Sequence, residues 1–425
     1  MPTILSKVWK HRLNMEALKS DKLPLETGAL VLLLAGFVLL FGMIVTSPNH
    51  LLYDEPYHLE TLNLAKDIGW KRALQETQSA TGPLYAGIHY GLSSITKLNP
   101  IALRIANLAL LIGLMAATVS LARKIAPANS VIRGLSLLAI PFVWPPSGMA
   151  LTEVPSTLFL VLFLLFAVHF LTQGDLNTSQ SVLLGLGAGV CLGLAVLGRQ
   201  TNLAVGLALV ALKPWSRTRI YFVATLLIVT GLVCGWLFLL WGGIAPPQLP
   251  VISKGLKPQH LILSFAYLGV ASAFINPRAF LTCGKRAAFA ICLVLVVTLI
   301  FPVVDIAPAL GLIKRLLGEG ALLIYRRVGG ALLTTFSFLF AFNLAKCIWD
   351  ARAEETKLFL TCVLLALSLP PLAVSHQFSS RYVVAAAPVL VVLAFDIRSV
   401  SLGFILRVAA GISIGAGSLW SYYRG

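Results

Sequence analysis

Asp54 and Glu55 form an adjacent pair of carboxylates directly after the first long apolar run of the chain, residues 28–46. A carboxylate at the edge of an apolar region is a candidate general base, which takes a proton from an attacking hydroxyl group. Asp54 equally suits the N-cap of a helix that starts before Pro56, and spacing alone leaves both interpretations open. Glu55 is a second candidate catalytic carboxylate. It either orients the molecule that carries the attacking hydroxyl group or is simply solvated.

Glu153 is the third candidate catalytic carboxylate. It lies in the segment 144–155, between two apolar runs. An acidic residue at such a position is costly to bury and is usually functional or paired. The alternative is a helix start before Pro155.

Several later polar residues interrupt apolar runs and are candidates for binding a substrate, in particular a phosphate group. A planar guanidinium group matches phosphate oxygens, but an arginine buried in an ion pair with an acid is an equally good explanation for two of them, Arg104 and Arg199. The candidates are Arg104, Arg199, Gln200, Asn202, His376, Arg381 and Tyr382. Further basic residues, which bind either a phosphate or anionic lipid headgroups, are Lys254, Lys257, Lys314, Arg315, Arg326 and Arg327.

The elements that must position these residues are membrane helices. Of the 425 residues, 58% are hydrophobic and 12% are charged, whereas a soluble protein is roughly a quarter charged. Runs of about 20 apolar residues predict an all-α, polytopic protein with about thirteen spans. The predicted spans are 27–46, 101–121, 131–145, 154–171, 181–198, 201–213, 219–241, 261–275, 286–303, 329–347, 358–374, 382–396 and 402–421, of which the third, sixth and twelfth are short enough to be tilted or incomplete.

Charge sets the predicted orientation. The 33 basic residues outnumber the 16 acidic ones, and they lie in short loops, which favours membrane lipids over nucleic acid as the partner. Residues 1–26 are predicted to be a basic, amphipathic, cytoplasmic segment, and 27–425 a single membrane domain. With the N-terminus inside, the loops 47–100, 242–260 and 304–328 and the polar residues named above lie on the outer face. In the catalytic loop 47–100 we expect interfacial helices from Pro56 to about Leu74 and from Leu84 to Lys97.

Motifs for cofactors and metals are missing from the sequence. No phosphate-binding glycine loop, Asp-x-Asp or His-Glu-x-x-His is present, so we predict no metal site and no cofactor. Binding of a divalent metal is the alternative, which no motif indicates. The six cysteines lie in or beside apolar runs, and we predict no disulfide. Without a soluble nucleotide-sugar domain, a sugar donor would have to come from within the bilayer.

Residues 53–58 resemble the Asp-Glu signature of the GT-C fold glycosyltransferases, polytopic enzymes that use polyprenyl-phosphate sugars. Within that family the chain is most similar to the dolichyl-phosphate-glucose α-glucosyltransferases that add the terminal glucose of the N-glycan precursor. The matching segments follow the family's order: Asp54-Glu55-x-x-His58, Thr81-Gly82-Pro83-Leu84-Tyr85, Leu103-Arg104-x-x-Asn107-Leu108, Thr152-Glu153, Gly198-Arg199-Gln200-Thr201-Asn202, Gly242-Gly243-Ile244 and Arg381-Tyr382.

The resemblance implies that Asp54 is the catalytic base and that Arg199 and Arg381 contact the donor phosphate. The loop after Gly243, Ala-Pro-Pro-Gln-Leu-Pro, lacks the charged pattern of the eukaryotic enzyme and indicates a prokaryotic relative that acts on a different glycan. The expected location is therefore a bacterial inner membrane, with the endoplasmic reticulum membrane as the alternative.

The expected activity is an inverting transfer of a monosaccharide, a hexose such as glucose, from a polyprenyl-phosphate donor. The acceptor would be a lipid-linked or cell-envelope glycan on the extracytoplasmic face. Two other functions remain open. A flippase or transporter of lipid-linked sugars would distribute charges along a path through the bilayer, and a non-catalytic subunit of a glycan-assembly complex would tolerate changes at Asp54 and Glu153.

Overall fold

The computed structural model of the chain describes residues 2–173, 176–212, 215–249, 255–282, 284–304, 310–374, 376–395 and 400–424. These residues form helices and connecting loops, and no strand occurs among them. The α-helices are α1 Pro2–Val45, α2 Glu55–Ile68, α3 Trp70–Glu76, α4 Leu84–Gly91, α5 Ser93–Thr96, α6 Pro100–Ile125, α7 Ser130–Leu135, α8 Trp144–Gly148, α9 Glu153–Thr172, α10 Thr178–Gly198, α11 Arg217–Trp241, α12 Pro258–Ile275, α13 Pro277–Phe280, α14 Lys285–Ile300, α15 Leu310–Asp350, α16 Glu355–Ser368, α17 Ala387–Ala394 and α18 Leu402–Arg424. Six 3-10 helices lie at Ser136–Ala139, Pro141–Val143, Gln200–Ala211, Ala351–Ala353, Pro370–Ala373 and Ser380–Ala386.

The chain is an integral, multi-pass membrane protein with the all-helical architecture predicted from its sequence. Within the described ranges, nine helices are long and apolar enough to cross a membrane. Large apolar side chains point outward from them, for example Leu232 and Leu239 of α11, which are 72% and 86% exposed. Four shorter apolar helices, Ser130–Ala139, Gln200–Ala211, Ala288–Ile300 and Ser380–Ala394, correspond to the predicted spans 131–145, 201–213, 286–303 and 382–396.

The short predicted spans are not regular α-helices. The predicted span 131–145, expected to be tilted or incomplete, is not one continuous α-helix, because α7 gives way to two 3-10 turns and the short α8 in a segment that contains Pro141, Pro145 and Pro146. Residues 200–211 form a 3-10 helix, which at about 2 Å per residue is shorter than a bilayer core of roughly 30 Å. Where a helix is interrupted in this way, backbone N–H and C=O groups and polar side chains are available to form a binding site.

Two predicted element boundaries need correction. The loop 304–328 is largely helical, since α15 begins at Leu310 and changes direction at Gly318 (φ 81°). Arg326 and Arg327 interrupt the apolar pattern of the sequence in that segment, but they lie within the helix, because arginine is a good helix former. The interfacial helix expected from Pro56 to Leu74 is divided by Gly69 (φ 81°) into α2 and α3.

Other predictions fall outside what the structure describes. Lys254 and Cys283 lie outside the described residues, as do the side chains of Lys314 and Arg315 and those of the first 23 residues.

Helix α18 packs closely against the broken segment that follows α7. A Cβ atom on Gly411 would lie 2.0 Å from the carbonyl oxygen of Ala139, and one on Gly415 would lie 2.3 Å from the ring of Trp144. Trp144 is fully buried, and its indole nitrogen donates to the carbonyl of Leu138 at 2.8 Å. The glycines of α18 therefore permit the contact that holds the irregular segment in place.

Replacing Gly411 by Ala is expected to destabilise the protein by about 1–3 kcal/mol, because the added methyl group meets backbone rather than a flexible side chain. The measurement is thermal unfolding in detergent. Gly417→Ala is the matched control in the same helix, because a Cβ atom there meets nothing within 4 Å. Equal unfolding temperatures for the two variants would contradict this packing.

Candidate active site

Four charged residues from distant parts of the chain meet where helices begin or end. Asp54 directly precedes α2, and Glu153 is the first residue of α9. Arg199 stands between α10 and the 3-10 helix that follows it, and Arg381 lies in the first turn of the 3-10 helix Ser380–Ala386. Carboxylates at helix N-termini and a cation at a helix C-terminus are favoured by the helix dipoles, so the helix ends help to place Asp54, Glu153 and Arg199. Arg381 lies at a helix N-terminus and depends on its ion pairs instead.

The four side chains form one network of ion pairs. Arg381 donates through Nη2 to Oδ2 of Asp54, and Arg199 donates through Nη2 to Oε1 of Glu153. The same Glu153 oxygen lies 3.8 Å from Nη1 of Arg381. Glu153 therefore holds two guanidinium groups side by side, and two carboxylates balance two arginines.

Both arginines retain buried N–H groups without a hydrogen-bond partner. Nε of Arg199 and Nη1 of Arg381 have none, while Nε of Arg381 donates to the hydroxyl of Ser379 at 3.2 Å. A buried donor left unsatisfied costs about 1–3 kcal/mol. The pair is thus chemically suited to an anion with several acceptor oxygens, such as phosphate.

The network opens onto a cavity of about 790 Å³. Its wall includes aromatic rings, hydroxyl groups and amide side chains, and such mixed surfaces suit polar ligands that also carry apolar faces. The lining residues that matter below are Tyr53, Asp54, His58, Ser79, Arg199, His376, Arg381 and Tyr382.

Asp54 faces the cavity rather than capping its helix. It occupies the N-cap position of α2, but its side chain makes no capping hydrogen bond. Its side chain is 34% exposed, whereas that of its partner Arg381 is 10% exposed. Of the two interpretations of Asp54 left open by the sequence, the cap is therefore unsupported.

Glu55 and Arg104 lie together in a closed and fully buried ion pair. Arg104 donates to both carboxylate oxygens of Glu55, at 2.9 and 2.6 Å. Its remaining donors bind the Ser47 hydroxyl and the carbonyls of Pro48 and His50 at 2.7–2.9 Å. Neither residue lines the cavity. Of the two interpretations of Arg104 left open by the sequence, the geometry favours the buried ion pair, because every guanidinium nitrogen is already engaged.

Glu55 also binds backbone on both sides of the pair. Its carboxylate accepts from the backbone N–H of Leu52 and of Ala150, each at 2.8 Å. With both oxygens occupied and no exposed surface, Glu55 lies apart from the cavity and from its predicted catalytic partner Asp54.

The remaining predicted residues divide into two groups. His376 and Tyr382 line the cavity, and the guanidinium of Arg199 lies 6.0 Å from the Tyr382 ring centroid. Asn202 is buried and donates to the Ser156 hydroxyl at 2.8 Å and to the Ala195 carbonyl at 3.0 Å, so it ties α10 to α9. Gln200 and Asn202 do not line the cavity.

Sequence reasoning assigned no role to several residues of the cavity wall. Tyr53 has a left-handed backbone conformation (φ 54°), and its ring lies 5.5 Å from the Arg381 guanidinium and 5.0 Å from the Tyr422 ring. His58 stands within the family-like segment, but its spacing from Asp54 was the only available signal. Ser79 and Tyr422 carried no signal at all.

A metal site is not formed by the residues that the structure describes. No three of their histidine, cysteine, aspartate and glutamate side chains come close enough together to hold an ion.

Comparisons with known proteins give a structural likeness alone. No protein-family model and no curated protein matches the chain. The fold is similar to ArnT from Cupriavidus metallidurans in the apo state, with 14% identity over 94% of this chain and 78% of that one and a TM-score of 0.48. It is likewise similar to the same protein bound to undecaprenyl phosphate, with 15% identity, 93% and 78% coverage and a TM-score of 0.47.

Replacing Glu55 by Gln is expected to destabilise the protein by about 3–5 kcal/mol, because the Arg104 charge stays buried without its counter-ion. Thermal unfolding of the purified protein measures this. Glu354→Gln is the control, since Glu354 is 65% exposed and 3.9 Å from Lys357, and exposed pairs contribute about 0–1 kcal/mol. A Glu55→Gln variant as stable as this control would contradict a structural role for the pair.

Proposed function

We propose that this protein is a GT-C glycosyltransferase that moves a monosaccharide from a polyprenyl-phosphate donor to a glycan acceptor. The observation that carries the proposal is the pair of arginines, Arg199 and Arg381, whose unsatisfied N–H groups lie beside a carboxylate at the wall of a cavity. The arginines at one end of this site suit a phosphate, and the carboxylate at the other end can accept a proton. A membrane-embedded protein would meet a lipid-linked phosphate from within the bilayer.

In this proposal the arginine pair binds the donor phosphate and stabilises it as it leaves. Phosphate departure generates negative charge, and preorganised cations lower the energy of that charge without having to move. Glu153 keeps the two guanidinium groups adjacent and acts as a positioning residue rather than as the catalytic carboxylate first predicted. Glu55 and Arg104 likewise position the loop that carries Asp54.

Asp54 is the general base of the proposed reaction. A hydroxyl oxygen of the acceptor forms a bond to the anomeric carbon of the donor sugar, the bond from that carbon to the phosphate oxygen breaks, and the hydroxyl proton passes to the Asp54 carboxylate. The bonding electrons leave with the phosphate, which Arg199 and Arg381 hold. Attack from the side opposite the phosphate inverts the configuration at the anomeric carbon.

The substrates follow from this chemistry and from the family resemblance. The donor is proposed to carry a hexose such as glucose, and the acceptor to be a lipid-linked or envelope glycan on the extracytoplasmic face. His376 and Tyr382 are proposed to contact these substrates, since both line the cavity. Gln200 and Asn202 are proposed to shape the segment around Arg199 without touching substrate.

Asp54→Asn is expected to lower the rate of transfer by about 10²–10⁴-fold, the usual contribution of a general base, because the amide cannot accept the proton. The assay follows label from undecaprenyl-phosphate glucose into glycans, with membranes of a strain lacking this protein as the acceptor source. Binding of undecaprenyl phosphate by the variant is expected to persist, since the arginines remain.

The control is Asp67→Asn, which makes the same change in α2 at a residue outside the cavity lining. Wild-type transfer by a correctly folded Asp54→Asn variant would show that Asp54 is not the base. Loss of transfer in both variants would show that the effect is not specific to the site.

A further inference from the structure

His58 lies one helical turn after Asp54 and has no part in the proposed proton transfer or phosphate binding. Its backbone N–H donates to the Asp54 carbonyl at 3.2 Å, which places the two side chains on the same face of α2. Both side chains line the cavity, although His58 is only 8% exposed.

A chain of hydroxyl groups fixes the orientation of the His58 ring. Nδ1 of His58 lies 3.3 Å from the Ser79 hydroxyl, which in turn lies 3.0 Å from the Thr81 hydroxyl. The backbone N–H of Ser79 donates to the Thr77 hydroxyl at 3.1 Å. Because one ring nitrogen is anchored in this way, the direction of the other is set before any ligand arrives.

The other ring nitrogen, Nε2, is buried and has no hydrogen-bond partner. Burial, together with the positive charges of Arg199 and Arg381, lowers the pKa of His58 from 6.5 to about 3. The imidazole is therefore neutral at physiological pH, and Nε2 can form a hydrogen bond with an uncharged hydroxyl group. A neutral ring also leaves the positive charge of the site to the arginines.

His89 is a second buried histidine, and it packs against its neighbours without lining the cavity. It is fully buried, and both of its ring nitrogens lack partners. Its ring centroid lies 4.3 Å from that of Tyr85, and it does not line the cavity. His58 differs from it in being anchored through Nδ1 and in forming part of the cavity wall.

We propose that Nε2 of His58 binds a hydroxyl group of the donor sugar. The inference rests on the proposed function, because the arginine pair must present a sugar phosphate for His58 to reach the sugar. The donor sugar is the proposed ligand because His58 lines the same cavity as Arg199 and Arg381, which would hold the phosphate to which that sugar is attached. His58 is thus a residue that selects and orients the sugar.

The test compares two lipids that differ only in the sugar, undecaprenyl phosphate and undecaprenyl-phosphate glucose, binding to the purified protein. In His58→Phe, the ratio of the glucose lipid's Kd to that of the bare lipid is expected to rise about tenfold, the loss expected for a hydrogen bond in a buried site. The Kd of the bare lipid is expected to stay within about twofold of wild type. His58→Gln is expected to retain the wild-type ratio, because its amide reaches the position of Nε2.

The matched control is His89→Phe, the same substitution at the packing histidine, which is expected to leave the ratio unchanged. An unchanged ratio in His58→Phe would overturn the inference while leaving the proposed function intact. So would an equal loss of affinity for both lipids, which indicates a structural role for the ring. If the wild-type protein binds neither lipid, the proposed function fails, and the role of His58 fails with it.

Discussion

Two partly buried guanidinium groups held next to each other are the constraint on which the site depends. Arg199 and Arg381 repel one another, and their burial is tolerable only because Glu153 lies between them and Asp54 pairs with Arg381. The N–H groups that still lack a hydrogen-bond partner, Nε of Arg199 and Nη1 of Arg381, lower the stability of the folded protein. In the proposed function, that cost is recovered when the donor phosphate binds.

A second ion pair supports the first without touching the cavity. Glu55 and Arg104 bind the backbone of the turn before α2, and Glu55 also binds the backbone of Ala150. Ala150 lies three residues before Glu153. The buried pair therefore connects the segment that carries Asp54 to the segment that carries Glu153, and it fixes the distance between the proposed base and the proposed phosphate site.

The adjacent acids Asp54 and Glu55 show why the sequence indicated the site but not its roles. The apolar runs predicted the membrane helices, because every long run must form a helix in lipid. Polar residues between those runs predicted where a site would lie. One acid of the pair faces the cavity and the other is fully enclosed, and that difference depends on Arg104, Leu52 and Ala150 approaching from three directions. Such contacts depend on tertiary structure, which no local pattern records.

The helix breaks were harder to predict than the helices. The broken segment after α7 contains three prolines, whereas the 3-10 geometry of residues 200–211 and the left-handed conformation of Tyr53 had no local signal. Ser79 and Tyr422 became part of the cavity only through packing. His58 was visible as a neighbour of Asp54 at helical spacing, yet its role depends on the unsatisfied nitrogen that only a folded structure shows.

The central claim is that Arg199 and Arg381 together bind the phosphate of a polyprenyl lipid. The most direct measurement is an electron cryomicroscopy structure of the protein in a lipid nanodisc saturated with undecaprenyl phosphate. The account predicts phosphate density within hydrogen-bonding distance of Nε of Arg199 and Nη1 of Arg381, the two donors that lack partners. Ordered phosphate density elsewhere, with Nε of Arg199 and Nη1 of Arg381 still lacking a hydrogen-bond partner, would contradict it.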